Sequence, residues 1–142
     1  MREILFKAKR KDNGEWVEGY YTECNGKTFI GINISIYGDI FEVLCTPVIR
    51  WFEVDLKTIC QFTGLYSKNG KRIWENDIMM AHLDESYPED ATYVAVEWNV
   101  AGWVTHEAGS TDREYLDEFD LEHFEVVGNI FDNKELLQEE HK

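Results

Sequence analysis

Through residues 4–107 the apolar side chains recur at every second position, and short groups of Gly, Asn, Asp and Pro interrupt them. A period of two is that of a half-buried strand, whose successive side chains point to opposite faces. Ile4, Phe6 and Ala8 fall on one face of an opening strand, and Lys11-Asp12-Asn13-Gly14 supply a turn. In the returning strand Trp16, Glu18 and Tyr20 lie on one side and Val17, Gly19 and Tyr21 on the other. Ile32, Ile34 and Ile36 continue the alternation, and Tyr37, Gly38 and Asp39 turn the chain into a strand at 40–44. Thr46-Pro47 ends that run, because proline has no N–H to give a central ladder. Residues 48–54 are extended again, with Trp51 and Phe52 on opposite faces, and Thr92, Val94, Val96 and Trp98 share one side of a later strand that turns at 99–102. No alternation of strands with long helices occurs, which argues against a parallel sheet. The expectation is a mainly β single domain spanning 1–142: a small β-barrel or strongly bent antiparallel sheet, with one or two short helices near the C-terminus.

The period changes after residue 107. Thr111-Asp112-Arg113-Glu114 has the T-x-x-E spacing of a capping box, and Tyr115, Leu116 and Phe119 follow at helical spacing, predicting a short helix there. "HFEVVGNI" predicts a strand with Phe124, Val126, Gly128 and Ile130 aligned. "DNKELLQEEHK" predicts a closing helix capped by Asp132 or Asn133.

Aromatic residues make up 14 % of the 142, enough apolar area to offset the chain entropy of one domain. Charge is uneven. Residues 1–72 hold eleven Lys/Arg against nine Asp/Glu, +2, whereas residues 73–142 hold three against nineteen, −16. Such a surface repels phosphate, so direct nucleic-acid binding is disfavoured. The one basic cluster, Lys7, Lys9, Arg10 and Lys11, lacks an interleaved aromatic and reads as a solvated strand end. Cys24, Cys45 and Cys60 form no CxxC pair and read as buried thiols. No apolar run is long enough for a membrane span or a secretory leader, so a cytoplasmic location is expected.

The most specific segment is 58–78, "TICQFTGLYSKNGKRIWENDI". Asn69-Gly70 is a strong hairpin signal, read here as a type I′ turn, and Glu75-Asn76-Asp77 marks a bend in which Asn76 can hold a positive φ. Glu75 and Asp77 are paired carboxylates, yet no His lies within four residues and a hard metal asks for about six oxygens. His82, His106, His123 and His141 are scattered, and Ser110-Thr111 reads as a helix cap rather than a nucleophile. No catalytic residue, metal ligand or cofactor is nominated.

The same segment resembles the motif of the YopX-like family of small phage and prophage proteins, approximately T-I-G-Q-F-T-G-L-x-D-x-N-G-K-x-I-Y-E-G-D-I-V. Thr58, Ile59, Gln61, Phe62, Thr63, Gly64, Leu65, Asn69, Gly70, Lys71, Ile73, Glu75, Asp77 and Ile78 match. Cys60, Ser67, Trp74 and Asn76 depart from it. "REILFKA" is similar to the family's opening strand, "VAVEWNVAGW" to its central hairpin, and "EVVGNIFDNKELL" to its V-I-G-N-I-Y-E-N-P-E-L-L close. The resemblance implies a phage-encoded protein with a β-rich body, acting in the cytoplasm of an infected or lysogenic bacterium. It implies no activity and no catalytic residue. Gln61, Phe62, Gly64, Asn69, Gly70, Trp74, Glu75 and Asp77 are therefore singled out as motif residues with a structural role.

The preferred function is an accessory protein that binds a host or phage protein, or itself as a homo-oligomer, and not an enzyme. One alternative is an acidic DNA mimic that inhibits a host DNA-binding protein, suggested by the −16 half. Another is a small hydrolase or nucleotide-modifying enzyme without a visible motif.

Overall fold

The computed structural model describes residues 3–34 and 48–138. The expected turn at 37–39, the strand at 40–44, the break at Pro47, and Cys45 and His141 lie outside the described residues. The chain forms two compact units, Met1–Gln61 and Phe62–Lys142.

In the first unit the expected alternation becomes β1 (Phe6–Lys9), β2 (Trp16–Cys24), β3 (Lys27–Asn33) and β4 (Ile49–Glu53), followed by a 3₁₀ turn at Leu56–Thr58. The ladder is antiparallel throughout, in the order β4-β3-β2-β1. Cys60 and Gln61, the first residues of β5 (Cys60–Tyr66), pair with Lys7 and Phe6. Ala8, Val17, Ile30 and Val54 are buried, and Phe6, Tyr21, Ile32, Phe52 and Ile59 pack around them. Asn25 and Gly26 turn β2 into β3 with both residues at positive φ, 51° and 76°, the backbone of a type I′ turn.

In the second unit the rest of β5 pairs with β6 (Arg72–Trp74). A five-stranded antiparallel sheet follows in the order β10-β9-β8-β7-β11. Its members are β7 (Asp77–Ala81), β8 (Thr92–Asn99), β9 (Gly102–Glu107), β10 (Glu114–Tyr115) and β11 (Glu125–Asn129). Ile73, Met79, Ala81, Val94, Val96 and Phe124 form the core, with Leu65, Trp103, Leu116, Leu121 and Val126 against it. The architecture is mainly β, as the alternation required, and the described strands lie in open antiparallel sheets that do not close into a barrel. Among the described residues no helix is long and apolar enough to cross a membrane.

Two local expectations are corrected. Thr111 and Glu114 form no capping box; Glu114 and Tyr115 instead pair with Thr105 and Val104 as β10. The helix starts later, α1 (Glu118–His123), and Asp117 and Asp120 make its reciprocal cap, each carboxylate accepting the other's backbone N–H at 3.1 Å. Aspartate supplies the same acceptor geometry as Thr and Glu, and strand pairing with β9 takes the earlier residues. The closing segment is a 3₁₀ turn, Lys134–Leu137, and Asn133 makes no side-chain cap to it. Trp98 shares the face of Val94 and Val96 as expected, is half exposed at the end of β8 and meets Trp103 edge-on at 5.0 Å.

Side-chain truncation separates core from rim. Ile73→Ala, at a fully buried site, is expected to lower the unfolding free energy by about 2–5 kcal/mol in urea titrations. Trp98→Ala, which loses mainly the edge-on contact, is expected to cost about 1 kcal/mol. Equal losses would contradict this division.

Candidate functional site

The singled-out residues assemble from three local devices. The first is a bulge in β5. Phe62 faces Trp74 and Tyr66 faces Arg72, so β5 carries two more residues between these pairs than β6 does. Gly64 accommodates the excess at φ 88°, a conformation that side-chain-bearing residues rarely adopt. Thr63 fastens it, its hydroxyl donating to the Ile73 carbonyl at 2.7 Å and accepting from the Leu65 N–H at 3.1 Å. Phe62 and Trp74 are buried with ring centroids 5.4 Å apart, and the Arg72 guanidinium lies 4.8 Å from the Phe62 centroid. Gln61 is half-buried opposite Phe6 and closes the first unit.

The second device is the hairpin tip. The Ser67 N–H donates to the Lys71 carbonyl and the Gly70 N–H to the Ser67 carbonyl, both at 2.9 Å. Gly70 has φ 78°, whereas Asn69 is not at positive φ. This is a three-residue loop ending in a left-handed glycine, not the type I′ turn expected from Asn-Gly. The Asn69 side chain instead hydrogen-bonds the Ser67 hydroxyl. The Lys68 N–H donates to the Phe124 carbonyl at 3.0 Å, tying the tip to the start of β11.

The third is the corner at residues 74–77. Asp77 is 2 % exposed, and its carboxylate accepts the Trp74 N–H at 2.8 Å. Asn76 holds φ 72°, as expected for a residue replacing the family's glycine. Its N–H donates to the Val96 carbonyl at 2.7 Å, and its carbonyl accepts the Ile130 N–H at 3.0 Å. The corner thus meets the other recognised stretch, 125–137. There the Asn129 side chain accepts the Phe131 and Asp132 N–H groups, and Asn133 accepts the Asn129 N–H at 3.1 Å. Asn133 lies so close to Gly128 that a Cβ there would come within 2.4 Å of its Oδ1. Glu75 is half-buried on the turn. Glu75 and Asp77 gather no metal-like set: among the described residues no group of three His, Cys, Asp or Glu is placed to hold an ion.

Sequence reasoning missed three arrangements that only cross-strand register creates. The basic cluster does have an aromatic partner, since Lys7 and Lys9 lie 4.7 and 5.4 Å from the Trp16 ring, on the neighbouring strand. The His106 Nδ1 lies 3.7 Å from one Glu97 oxygen across β8 and β9, and the other Glu97 oxygen accepts from Arg113 at 2.8 Å. On the outer face of the first unit's sheet, Tyr20, Gly31 and Trp51 stand in one row across β2, β3 and β4. Tyr20 and Trp51 are 51 % and 46 % exposed, and the Trp51 ring lies so near Gly31 that a Cβ would meet it at 2.5 Å. An open groove of about 500 Å³ beside this row is lined by Thr22, Cys24, Phe29 and Trp51. Cys24 is accordingly exposed, whereas Cys60 is buried as expected.

A second concavity, of about 370 Å³, belongs to the second unit. Glu107, Asp112, Glu114, Asp117 and Asp120 line it beside Phe119. Burial raises the Asp120 carboxyl above its ordinary value and the charges of Asp117 and Glu114 add to this, while the Asp117 N–H opposes it. A raised carboxyl favours the folded state fully below the ordinary aspartate value, and that contribution is lost as pH rises through the raised one.

Two outcomes follow. Asp77→Ala is expected to cost about 1–3 kcal/mol in thermal or urea unfolding, because it leaves the buried Trp74 N–H without this acceptor; Asp77→Asn, which keeps an oxygen, costs less. Asp120→Asn is expected to raise the melting temperature at neutral pH, and the gain should vanish below about pH 4, where the parental carboxyl is protonated too. A gain independent of pH would contradict the assigned cause.

The sequence matches the family described as YopX protein over residues 5–138. Among solved structures the chain is similar to the crystal structure of protein EF1440 from Enterococcus faecalis, with a TM-score of 0.58 and 21 % identity over 97 % of this chain and 100 % of that one. A likeness at that identity bears on the fold. A comparison with curated proteins finds no match. With nearly its whole length matched, the chain belongs to the YopX protein family.

Proposed function

We propose that this protein is a phage- or prophage-encoded accessory protein of the bacterial cytoplasm that works by binding another protein, and that the outer face of β2, β3 and β4 is its contact surface. The observation that carries this reading is the exposed row of Tyr20 and Trp51, set one on each side of Gly31. Large aromatic side chains left in water are a cost to an isolated sheet and are the residue types that anchor interfaces. Gly31 supports the reading further, because it lets the Trp51 ring lie close to the sheet, so that little side-chain freedom remains to be lost on binding. Residues 58–78 serve this role indirectly, as the segment that defines the fold.

A second reading, the acidic DNA mimic, draws support from the five carboxylates gathered around the cleft of the second unit. Its partner would be a basic groove, and its binding would weaken steeply with salt.

A pull-down from nuclease-treated bacterial lysate separates the two. Trp51→Ala is expected to weaken capture of the protein partner, or self-association, by about 2 kcal/mol, roughly thirtyfold. The outer-face reading fails if Trp51→Ala and Tyr20→Ala both retain the parental partner at full yield. If Glu114→Gln with Asp112→Asn abolishes capture instead, and salt does the same, the mimic reading takes its place.

A further inference from the structure

We propose that Asn25 is a site of spontaneous deamidation, and that it is the reactive one among the three Asn-Gly pairs of the chain. The pairs are Asn13-Gly14, Asn25-Gly26 and Asn69-Gly70. All three asparagines are exposed, so exposure does not rank them. Hydrogen bonding does.

The reaction needs two groups released. The backbone nitrogen of the glycine, after losing its proton to solvent base, attacks the asparagine Cγ. The new C–N bond closes a five-membered succinimide, and the side-chain nitrogen leaves as ammonia. Water then opens the ring at either carbonyl, giving aspartate or its β-linked isomer. Water enters, ammonia leaves, and the chain gains one negative charge. A glycine N–H held in a hydrogen bond resists proton loss and reorientation, and a side-chain carbonyl held as an acceptor resists the swing toward that nitrogen.

Asn13 and Asn69 are held at both points. The Gly14 N–H donates to the Arg10 carbonyl at 2.9 Å, and the Asn13 Oδ1 accepts the Glu15 N–H at 2.9 Å. The Gly70 N–H donates to the Ser67 carbonyl at 2.9 Å, and the Asn69 Oδ1 is bonded to the Ser67 hydroxyl. At the β2–β3 turn, neither the Gly26 N–H nor the Asn25 side chain has a hydrogen-bond partner among the described residues. The space where a Gly26 Cβ would stand is open to 4 Å, as it is at Gly14 and Gly70, so hydrogen bonding alone ranks the three pairs. The type I′ turn uses the groups of Cys24 and Lys27, which flank the pair, and leaves the two central residues to solvent.

The product matters to the surface beside it. A β-linked residue adds a methylene to a main-chain loop of two residues, which breaks the closure of Cys24 onto Lys27. The new carboxylate stands next to Cys24, at the end of the groove formed with Phe29 and Trp51.

The test is peptide mapping by mass spectrometry of the full chain aged in mildly alkaline buffer, folded and in guanidinium. In guanidinium all three pairs are expected to react at similar rates. In the folded chain Asn25 is expected to react about tenfold or more faster than Asn13 and Asn69. Folded Asn13 or Asn69 keeping pace with Asn25 would overturn the assignment. So would an Asn25 that is silent when folded yet reactive in guanidinium.

Discussion

The second unit hangs on one buried carboxylate. Asp77, itself 2 % exposed, accepts the Trp74 N–H inside the corner, where a hydrogen bond counts for more than on a surface. That bond closes the turn, the turn puts Asn76 in the left-handed region, and the Asn76 backbone then bonds to β8 on one side and to Ile130 on the other. Trp74, directed inward by the same corner, packs on Phe62, whose strand is bent by the Thr63 and Gly64 bulge. Four elements are thereby located from one side chain.

The family motif makes physical sense in these terms. Thr63 and Gly64 are a bulge and its fastener, Gly70 is a loop's left-handed residue, and Asp77 is a backbone acceptor. Gly128 and Asn133 belong together because the glycine's missing Cβ leaves the room that the Asn133 amide fills while it accepts the Asn129 N–H. The residues that resemble the family most closely thus mark positions of backbone geometry. The outer face of the first unit is different in kind, a row of exposed aromatic side chains that make no hydrogen bond among the described residues, and it is there that a binding role is best sought.

Much of the fold was legible along the chain. The alternation at Phe6 and Ala8 places them toward the first core, and Trp51 and Phe52 do fall on opposite faces. Legibility failed where two local codes competed. Thr111 to Glu114 carries a helix-start pattern, yet pairing of Glu114 and Tyr115 with β9 prevailed, and the less familiar Asp117 and Asp120 capped the helix. Asn69-Gly70 and Asn25-Gly26 share a dipeptide but form different turns: Ser67 engages the Asn69 side chain, while among the described residues no group engages that of Asn25. The Asn133 side chain was drawn to Asn129 and so did not cap the turn that follows it.

The sequence by itself determined the strand period, the antiparallel class, the punctuation of the turns and the family. These depend on neighbours in the chain, whose side-chain alternation and backbone preferences are fixed by covalent geometry. Tertiary structure alone decided that the strands lie in open sheets, that Lys7 and Lys9 meet Trp16, that Glu97 pairs with Arg113 beside His106, and that Tyr20 and Trp51 share a face. Each of these depends on the register between strands distant in sequence, and a slip of one residue would send every such side chain to the opposite face.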